Sequence, residues 1–452
     1  MRILHTSDWH LGKLFHEKSL IEDQAFMLDQ ILETIKGAAT EGRPFSALIV
    51  AGDIYDRALP PSEAGTLLND FLERATGENP GLHIFLNAGN HDSATRLSFA
   101  AGFLEKHNIH ICTDTKNFTD AVLIEENGEK VAFYQLPFLT PYSIEDDGAG
   151  EDLPGGAGVG LGGAANYVGG DRAPGGAGLA GGSAPGLGDD LPGSGGPGAG
   201  RPGEEKSLRS QEELYSVACK KIIEAHKKNY GEGVPAVLNA HLFAAGAAVA
   251  ASERTNVGAV EQADISHFKD FSYCAFGHIH KFQPCDKERR CFYSGSLLPY
   301  NFDDSPECGV LDVEIKNPRD VPAVKRILLK PLHPIANLTG PMKDFIGSEA
   351  KKSLIQENQN NYVQVILTDA VMPSEAFITL KSVFPNLLCV TMKEENLGGK
   401  NVSIQSRKEA IDSNDPEKIF CQFMKDLYGD VFDDGELFQT QKKIFLQEAG
   451  EL

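Results

Sequence analysis

The sequence predicts an α/β protein whose functional groups sit at the carboxyl ends of strands, and three observations carry that prediction. Short apolar runs alternate with segments whose apolar residues recur at helical spacing. Several of those runs open onto a polar turn holding Asp, Asn or His. The chain has 452 residues, 41% hydrophobic and 23% charged, enough for a sizeable core and two or three domains. Strand, polar turn and helix in repetition is the pattern of sheets with helices laid on them.

Taken in order, RILHTSD is a strand reaching Asp8, and Ile21 to Ile35 carries apolar residues at helical spacing. SALIVAGD is a second strand ending at Asp53. Beyond Pro60-Pro61, the positions Ala64, Leu67, Leu68, Phe71 and Leu72 predict a helix leading to the strand HIFLN and the turn GNHDS at 89–93. From Gly148 to about Glu204 the chain is dominated by Gly, with little side-chain surface to bury, and a disordered insertion is expected there. Its glycines keep no period of three, which excludes a collagen helix. A helix follows around Ser210 to Lys228, then the strand AVLNA before His241, the strand SYCAF before GHIH, and further sheet near CFYSGS and GVLDVEI. These pieces make a first domain over 1–315. A smaller α/β unit is expected over 320–395, with a strand around 324–330, a helix around 342–355, the strand YVQVIL, a helix at 373–383 and the strand LLCVTM. The tail, 396–452, carries Ile419, Phe420, Phe423, Met424 and Leu427 as an apolar stripe that could pack on the same chain or on another protein.

A formal net charge of −22 argues against coating nucleic acid by bulk positive charge. It leaves open an enzyme that reaches phosphate through metal ions, helix amino termini or a partner protein. The eight cysteines include no CxxC pair, which speaks against a zinc ribbon, an iron–sulfur site or a disulfide scaffold. The amino terminus lacks the pattern of a signal peptide, and no apolar run reaches the roughly 18 residues of a membrane span. A soluble cytoplasmic protein with no membrane association is the expectation.

Five separated pieces carry the chemistry: DWH at 8–10, GDIYD at 52–56, GNHDS at 89–93, HLF at 241–243 and GHIH at 277–280. Singly, each has an ordinary explanation as a turn former or a satisfied buried histidine. Together they place many costly polar groups at the strand exits of one unit, which metal ions would compensate. Asp8 with His10, and His278 with His280, alternate, so an extended segment would aim both members of each pair one way. Carboxylate and amide oxygens with imidazole nitrogens suit Mn²⁺, Fe²⁺ or Zn²⁺, and no Cys lies in these motifs. Two such ions about 3.5 Å apart would stabilise the attacking and leaving oxygens of a phosphoryl transfer. GNHDS contains no Lys or Arg, and metal would supply the positive charge that draws phosphate there.

In this order the DxH, GDIYD, GNHD, later His and GHIH pieces resemble the signature series of the calcineurin-like metallophosphoesterases. With the flanks MRILHTSDWHLGK, AGDIYDRALPPSEA, ADISHFKDFSYCAFGHIHKFQ and YSGSLLPYNFDD, the sequence resembles the SbcD family of nuclease subunits within that group. The resemblance implies a two-sheet α/β sandwich topped by a smaller capping domain, here 320–395. It implies that Asp8, His10 and His280 hold one divalent ion, that Asn90, His241 and His278 hold another, and that Asp53 bridges them. His91 would be the catalytic histidine, Asp92 would orient His91 or shape the turn, and Asp56 and Arg57 would support the site or pair locally. The family is associated with Mn²⁺-dependent cleavage of DNA ends, hairpins and single strands in DNA repair and recombination. Its nuclease subunits form a homodimer joined to an SbcC-like coiled-coil ATPase in a heterotetramer, a contact that would fall to the tail here. Cytoplasmic location, on the nucleoid when acting on DNA, is implied with it. Two departures stand out: the Gly-rich insertion, and HKFQ where many relatives carry HRPQ or a similar run. The same ligand motifs serve phosphatases and cyclic nucleotide phosphodiesterases, and a non-catalytic scaffold could keep the fold. The flanks and the separate carboxyl-terminal unit favour the nuclease.

Overall fold

In a computed structural model the protein is described over residues 1–141, 143–144, 210–248, 262–347 and 350–393, and in the tail over 417–418, 420–421, 424 and 435–448. The Gly-rich stretch 148–204 and the tail residues Ile419, Phe423 and Leu427 lie outside the described residues. The chain opens with β1 (Arg2–Thr6), a short hairpin of β2 (Leu14–Phe15) and β3 (Lys18–Ser19), α1 (Ile21–Thr40), β4 (Ala47–Val50), α2 (Ser62–Glu78) and β5 (His83–Asn87). The turns α3 (Ala94–Leu97) and α4 (Ala101–Leu104) lead to β6 (Ile109–Cys112), β7 (Val122–Glu126) and β8 (Glu129–Leu136). Asn127 and Gly128, both at positive φ, close the β7–β8 hairpin as a type I′ turn suits the twist of two strands. α5 (Gln211–Asn229) begins at a capping box between Ser210 and Glu213. Then come β9 (Ala236–His241), β10 (Tyr273–Gly277), β11 (Gln283–Pro284), β12 (Cys291–Tyr293), β13 (Cys308–Glu314) and β14 (Ala323–Leu329).

These strands form two six-stranded sheets, ordered β14-β13-β1-β4-β5-β6 and β11-β12-β10-β9-β8-β7. Within the first, β1, β4, β5 and β6 run parallel; within the second, β8, β9, β10 and β12 do. Successive strand residues point to opposite faces, which divides the core into layers. Ile3, Ile49 and Phe85 meet Phe133, Val237, Tyr273 and Phe292 between the sheets. On one outer face Leu4, Leu48 and Leu86 lie under Met27, Ile31 and Phe71 of α1 and α2. On the other, Leu238 and Phe276 lie under Leu214, Tyr215 and Ile222 of α5. The expected two-sheet sandwich is thus a four-layer α/β/β/α stack. At one end of it β1, β4, β5, β9 and β10 all deliver their carboxyl ends.

One expectation moves. Ala323–Leu329 pairs residue for residue with β13 and edges the first sheet, so it belongs to the sandwich and not to the smaller unit. A short turn, with Asp320 N–H on the Asn317 carbonyl, returns the chain beside β13 directly. The smaller unit has its own parallel sheet of β15 (Ile335–Gly340), β16 (Tyr362–Leu367) and β17 (Leu387–Met392), packed on the helix Ala376–Val383 through Leu338, Val363, Val365, Leu380 and Phe384. The helix expected over 342–355 is a single 3₁₀ turn, Met342–Asp344, and a short helix, Lys352–Glu357. Gly347, at φ +78°, interrupts it. In the tail, Phe420 and Met424 bury against Phe438 of the helix Glu436–Glu448, so two members of the apolar stripe face inward. No helix among the described residues is long and apolar enough to cross a membrane.

Candidate metal centre

All eight residues singled out from the sequence as ligands or catalyst meet at the carboxyl end of the sandwich. Asp8 and His10 follow β1, Asp53 follows β4, Asn90 and His91 follow β5, His241 ends β9, and His278 and His280 follow β10. Backbone bonds knit the loops of the first sheet together: Asp8 N–H donates to the Gly52 carbonyl, His10 to Asp53 and Leu11 to Ile54. Across the gap, the Asp8 carboxylate accepts from His278 N–H at 2.9 Å, and the His241 Nδ1–H donates to the Ala51 carbonyl at 2.8 Å. That second bond fixes the His241 tautomer and leaves Nε2 for the centre.

The pairs do not converge by strand alternation as expected. Asp8 (φ 52°), His10 (φ 44°), Asp53 (φ 48°) and His278 (φ 105°) all hold left-handed backbone, which non-Gly residues avoid. Four such conformations in one cluster store strain that the surrounding bonds must hold. Gly52, Gly89 and Gly277 make the close approach possible. A Cβ on Gly277 would strike the Ala51 carbonyl oxygen, one on Gly89 the Asp53 carboxylate, and one on Gly52 the His241 ring.

The polar atoms face one another in two groups. His10 Nε2 lies 3.2 Å from His280 Nε2, and Asp8, His10 and His280 present ligand atoms to one volume. Asn90 Oδ1 lies 3.2 Å from both His241 Nε2 and His278 Nδ1. Asp53 stands between the groups, with Oδ2 3.6 Å from His10 Nε2 and 3.4 Å from His241 Nε2, while its Oδ1 accepts from His91 N–H at 3.0 Å. Asp8 Oδ2 and His278 Nε2 are buried without a hydrogen-bond partner. Burial pushes the Asp8 carboxyl up and the His10 and His278 imidazoles down, His278 to about 3. Burial opposes charge on Asp53 and His241 as well, but their mutual attraction overrides it. Asp53 is held well below the usual carboxylate range, and His241 is raised to about 9. Converging, unsatisfied oxygen and nitrogen donors are what a pair of divalent cations would satisfy. The residues fit that group.

His91 is exposed at the mouth of the centre, and its Nδ1–H donates to the Asp56 carbonyl at 2.8 Å. Asp92 does not touch the His91 ring. Its carboxylate accepts from the N–H groups of Ile54 (3.0 Å), Tyr55 (2.9 Å) and Gly89 (2.9 Å), so of the two roles expected it shapes the turn. The Asp56 carboxylate pairs with Lys13 at 2.8 Å and more loosely with Arg57 at 3.5 Å, while lying 3.7 Å from His10 Nδ1. Three residues escaped the sequence reading. Gln24 of α1 accepts from Gly12 N–H and donates to the Trp9 and His10 carbonyls. Tyr300 hydrogen-bonds the Trp9 carbonyl. Asp304 lies 3.7 Å from His280 Nδ1 while accepting from Tyr300 and Asn301 N–H. Asp304 belongs to the quoted YNFDD piece, which could have flagged it; Gln24 carries no sequence signal.

Residues 1–148 match the calcineurin-like phosphoesterase family. The match ends at the Gly-rich stretch, beyond which β9 and β10 complete the same sandwich. The chain is 27% identical over 433 residues to the SbcD component of the SbcCD nuclease of Staphylococcus saprophyticus, covering 95% of this chain and 94% of that one. It is 27% identical over 399 residues to the SbcD component of the SbcCD nuclease of Staphylococcus epidermidis, covering 86% and 85%. The chain thus carries a calcineurin-like phosphoesterase domain and is similar, over most of its length, to the SbcD components of SbcCD nucleases.

Proposed function

We propose that this protein is a metal-dependent nuclease that hydrolyses DNA phosphodiester bonds at ends, hairpins and single strands. The observation that carries the proposal is the convergence of six ligand-type side chains around Asp53, with exposed His91 beside them. Asp8, His10 and His280 would hold one ion, Asn90, His241 and His278 the other, and Asp53 both. Mn²⁺ is the proposed metal. When bound, the ions neutralise charge developing on the phosphoryl oxygens. The chain's own residues do the rest. His91 keeps one proton on Nδ1 against the Asp56 carbonyl, so the proton it gives to the departing sugar oxygen is carried on Nε2. Asp92 holds the GNHDS turn against the GDIYD loop, which keeps His91 N–H on Asp53 and fixes both relative to the phosphate.

Similarity to the SbcD component of SbcCD nucleases over most of the chain favours the nuclease over a phosphomonoesterase with the same centre. A labelled DNA hairpin and p-nitrophenyl phosphate, each offered with Mn²⁺ and with EDTA, decide between them. The proposal requires Mn²⁺-dependent hairpin cleavage; turnover of the monoester alone would overturn it. The acidic chain works in the cytoplasm with an SbcC-like coiled-coil ATPase that supplies duplex affinity and contacts the tail. The first domain is the sandwich with β14 at its edge, and the unit built on β15, β16 and β17 is the capping domain. A groove of about 790 Å³ between α2 and the segment 96–111, where Phe99 (83% exposed) and Phe103 (64%) stand in solvent, supports the reading that a second copy packs there. Light scattering of wild-type protein and of a Phe99→Ser, Phe103→Ser variant tests the homodimer.

A further inference from the structure

Two consecutive residues in the first turn of α1, Asp23 and Gln24, are polar and almost wholly buried, at 1% and 0% exposure. Buried polar groups are costly unless satisfied, and here the partners lie in two different places. Gln24 faces the metal centre. Its Oε1 accepts from Gly12 N–H at 3.0 Å, and its Nε2 donates to the Trp9 carbonyl at 3.2 Å and the His10 carbonyl at 2.8 Å. One side chain therefore satisfies three backbone groups of the loop in which His10 holds its strained left-handed conformation.

Asp23 faces the smaller domain. Its Oδ2 accepts from Tyr362 Oη at 2.7 Å and its Oδ1 from His333 Nδ1 at 2.8 Å. Tyr362 begins β16, and His333 lies in the link from β14 to β15; their rings pack 4.8 Å apart. Two turns along α1, Gln30 exchanges two hydrogen bonds with the Lys330 backbone, so the same helix is clasped by the link itself. These contacts are the polar attachment of the smaller domain to α1, and it stands one residue from the group that holds the His10 loop. Gln24 spends its amide on the backbone of the His10 loop and Asp23 its carboxylate on Tyr362 and His333, so both are positioning residues.

We propose that Asp23 and Gln24 set the position of His10 according to how the smaller domain is seated on α1, a role that rests on the metal-dependent hydrolysis proposed above. A shift of the domain pulls Asp23 through Tyr362 and His333, tilts the first turn of α1, and moves Gln24 with the three backbone groups it holds. The seating of the smaller domain thereby acts on the site that Asp8, His10 and His280 would form, without touching it.

The test uses the full chain with Tyr362→Phe and Asp23→Asn on the domain side and Gln24→Met on the loop side. Three readouts are taken: emission of Trp9 in the metal-free protein, Mn²⁺ affinities by calorimetry, and kcat and KM for the small diester bis(p-nitrophenyl) phosphate. Trp9 is the chain's one tryptophan and sits fully buried beside His10. The domain-side variants are expected to shift Trp9 emission in the same direction as Gln24→Met. They should weaken one Mn²⁺ affinity roughly 3- to 10-fold and lower kcat by a similar factor with KM nearly unchanged. Should Gln24→Met not fold, Gln24→Glu keeps the acceptor for Gly12 and replaces the two donated bonds by a carboxylate oxygen facing the Trp9 and His10 carbonyls. Unchanged Trp9 emission and Mn²⁺ affinities in both domain-side variants overturn the link. If wild-type protein hydrolyses no diester while emission and affinity still shift, the link stands and the hydrolytic reading falls.

Discussion

Replacing Asp92 by Ala perturbs the centre without removing a ligand, and its cost can be worked from three bonds. The carboxylate accepts from Ile54, Tyr55 and Gly89 N–H at 2.9–3.0 Å, and Ile54 is fully buried. Deleting the acceptor strands donors for which desolvation costs about 1–3 kcal/mol each. Asp92 itself is partly exposed, so water can enter the space, and the low end applies: about 3 kcal/mol in total. Asn at the same place keeps one acceptor oxygen and turns a donor toward at least one N–H, for about 1–2 kcal/mol. The expected order of stability is wild type, Asp92→Asn, Asp92→Ala. Urea unfolding followed by Trp9 fluorescence reads this directly, because Trp9 lies in the loop hydrogen-bonded to the GDIYD segment. Mn²⁺-dependent hairpin cleavage should fall in the same order, since the turn carries both Asn90 and the His91 N–H that holds Asp53. An Asp92→Ala protein within about 0.5 kcal/mol and twofold activity of wild type would refute the claim that Asp92 joins the two loops.

His91→Ala should lose about 10²- to 10⁴-fold in cleavage while still binding two Mn²⁺, a stoichiometry that calorimetry measures. Loss of an ion would move His91 into the ligand set. Gly277→Ala should lower the unfolding temperature and empty the ion site served by His241, because the new Cβ meets the Ala51 backbone carbonyl and comes within 2.8 Å of His241 Nδ1. Gly102→Ala, with nothing within 4 Å, is the control, and equal behaviour of the two would count against the packing argument. His5 is fully buried, donates or accepts at Tyr273 Oη, and burial lowers it from 6.5 to about 3. Between those values the unfolded chain binds the proton and the folded one does not, so stability rises with pH there. His5 alone should make the protein about 2 kcal/mol less stable at pH 5 than at pH 7. His5→Asn should remove that difference, as urea titrations at the two pH values would show.

Much of this architecture is written in local pattern. Apolar runs before Asp8, Asp53, GNHDS, His241 and GHIH mark five strand exits, and all five meet. What pattern does not carry is how they meet. Alternation suggests that Asp8-x-His10 and His278-x-His280 aim together from extended segments, whereas left-handed kinks do the aiming, and a kink depends on bonds to residues tens of positions away. Strands β6, β7 and β8 go unread although Asn127-Gly128 between apolar runs marks a hairpin. β14 reads as part of the smaller unit because an edge strand and a new domain's first strand look alike locally; only pairing with β13 separates them. Gln24 and Asp23 are invisible because a polar residue in the first turn of a helix reads as solvent-facing until its burial is known.

Two cations sharing Asp53 are the core of the proposed chemistry, and anomalous diffraction at the manganese edge from Mn²⁺-soaked crystals tests for them most directly. Two peaks are expected, one flanked by Asp8, His10 and His280 and one by Asn90, His241 and His278, with the Asp53 carboxylate between them. A single peak, or two peaks of which neither touches Asp53, would contradict it.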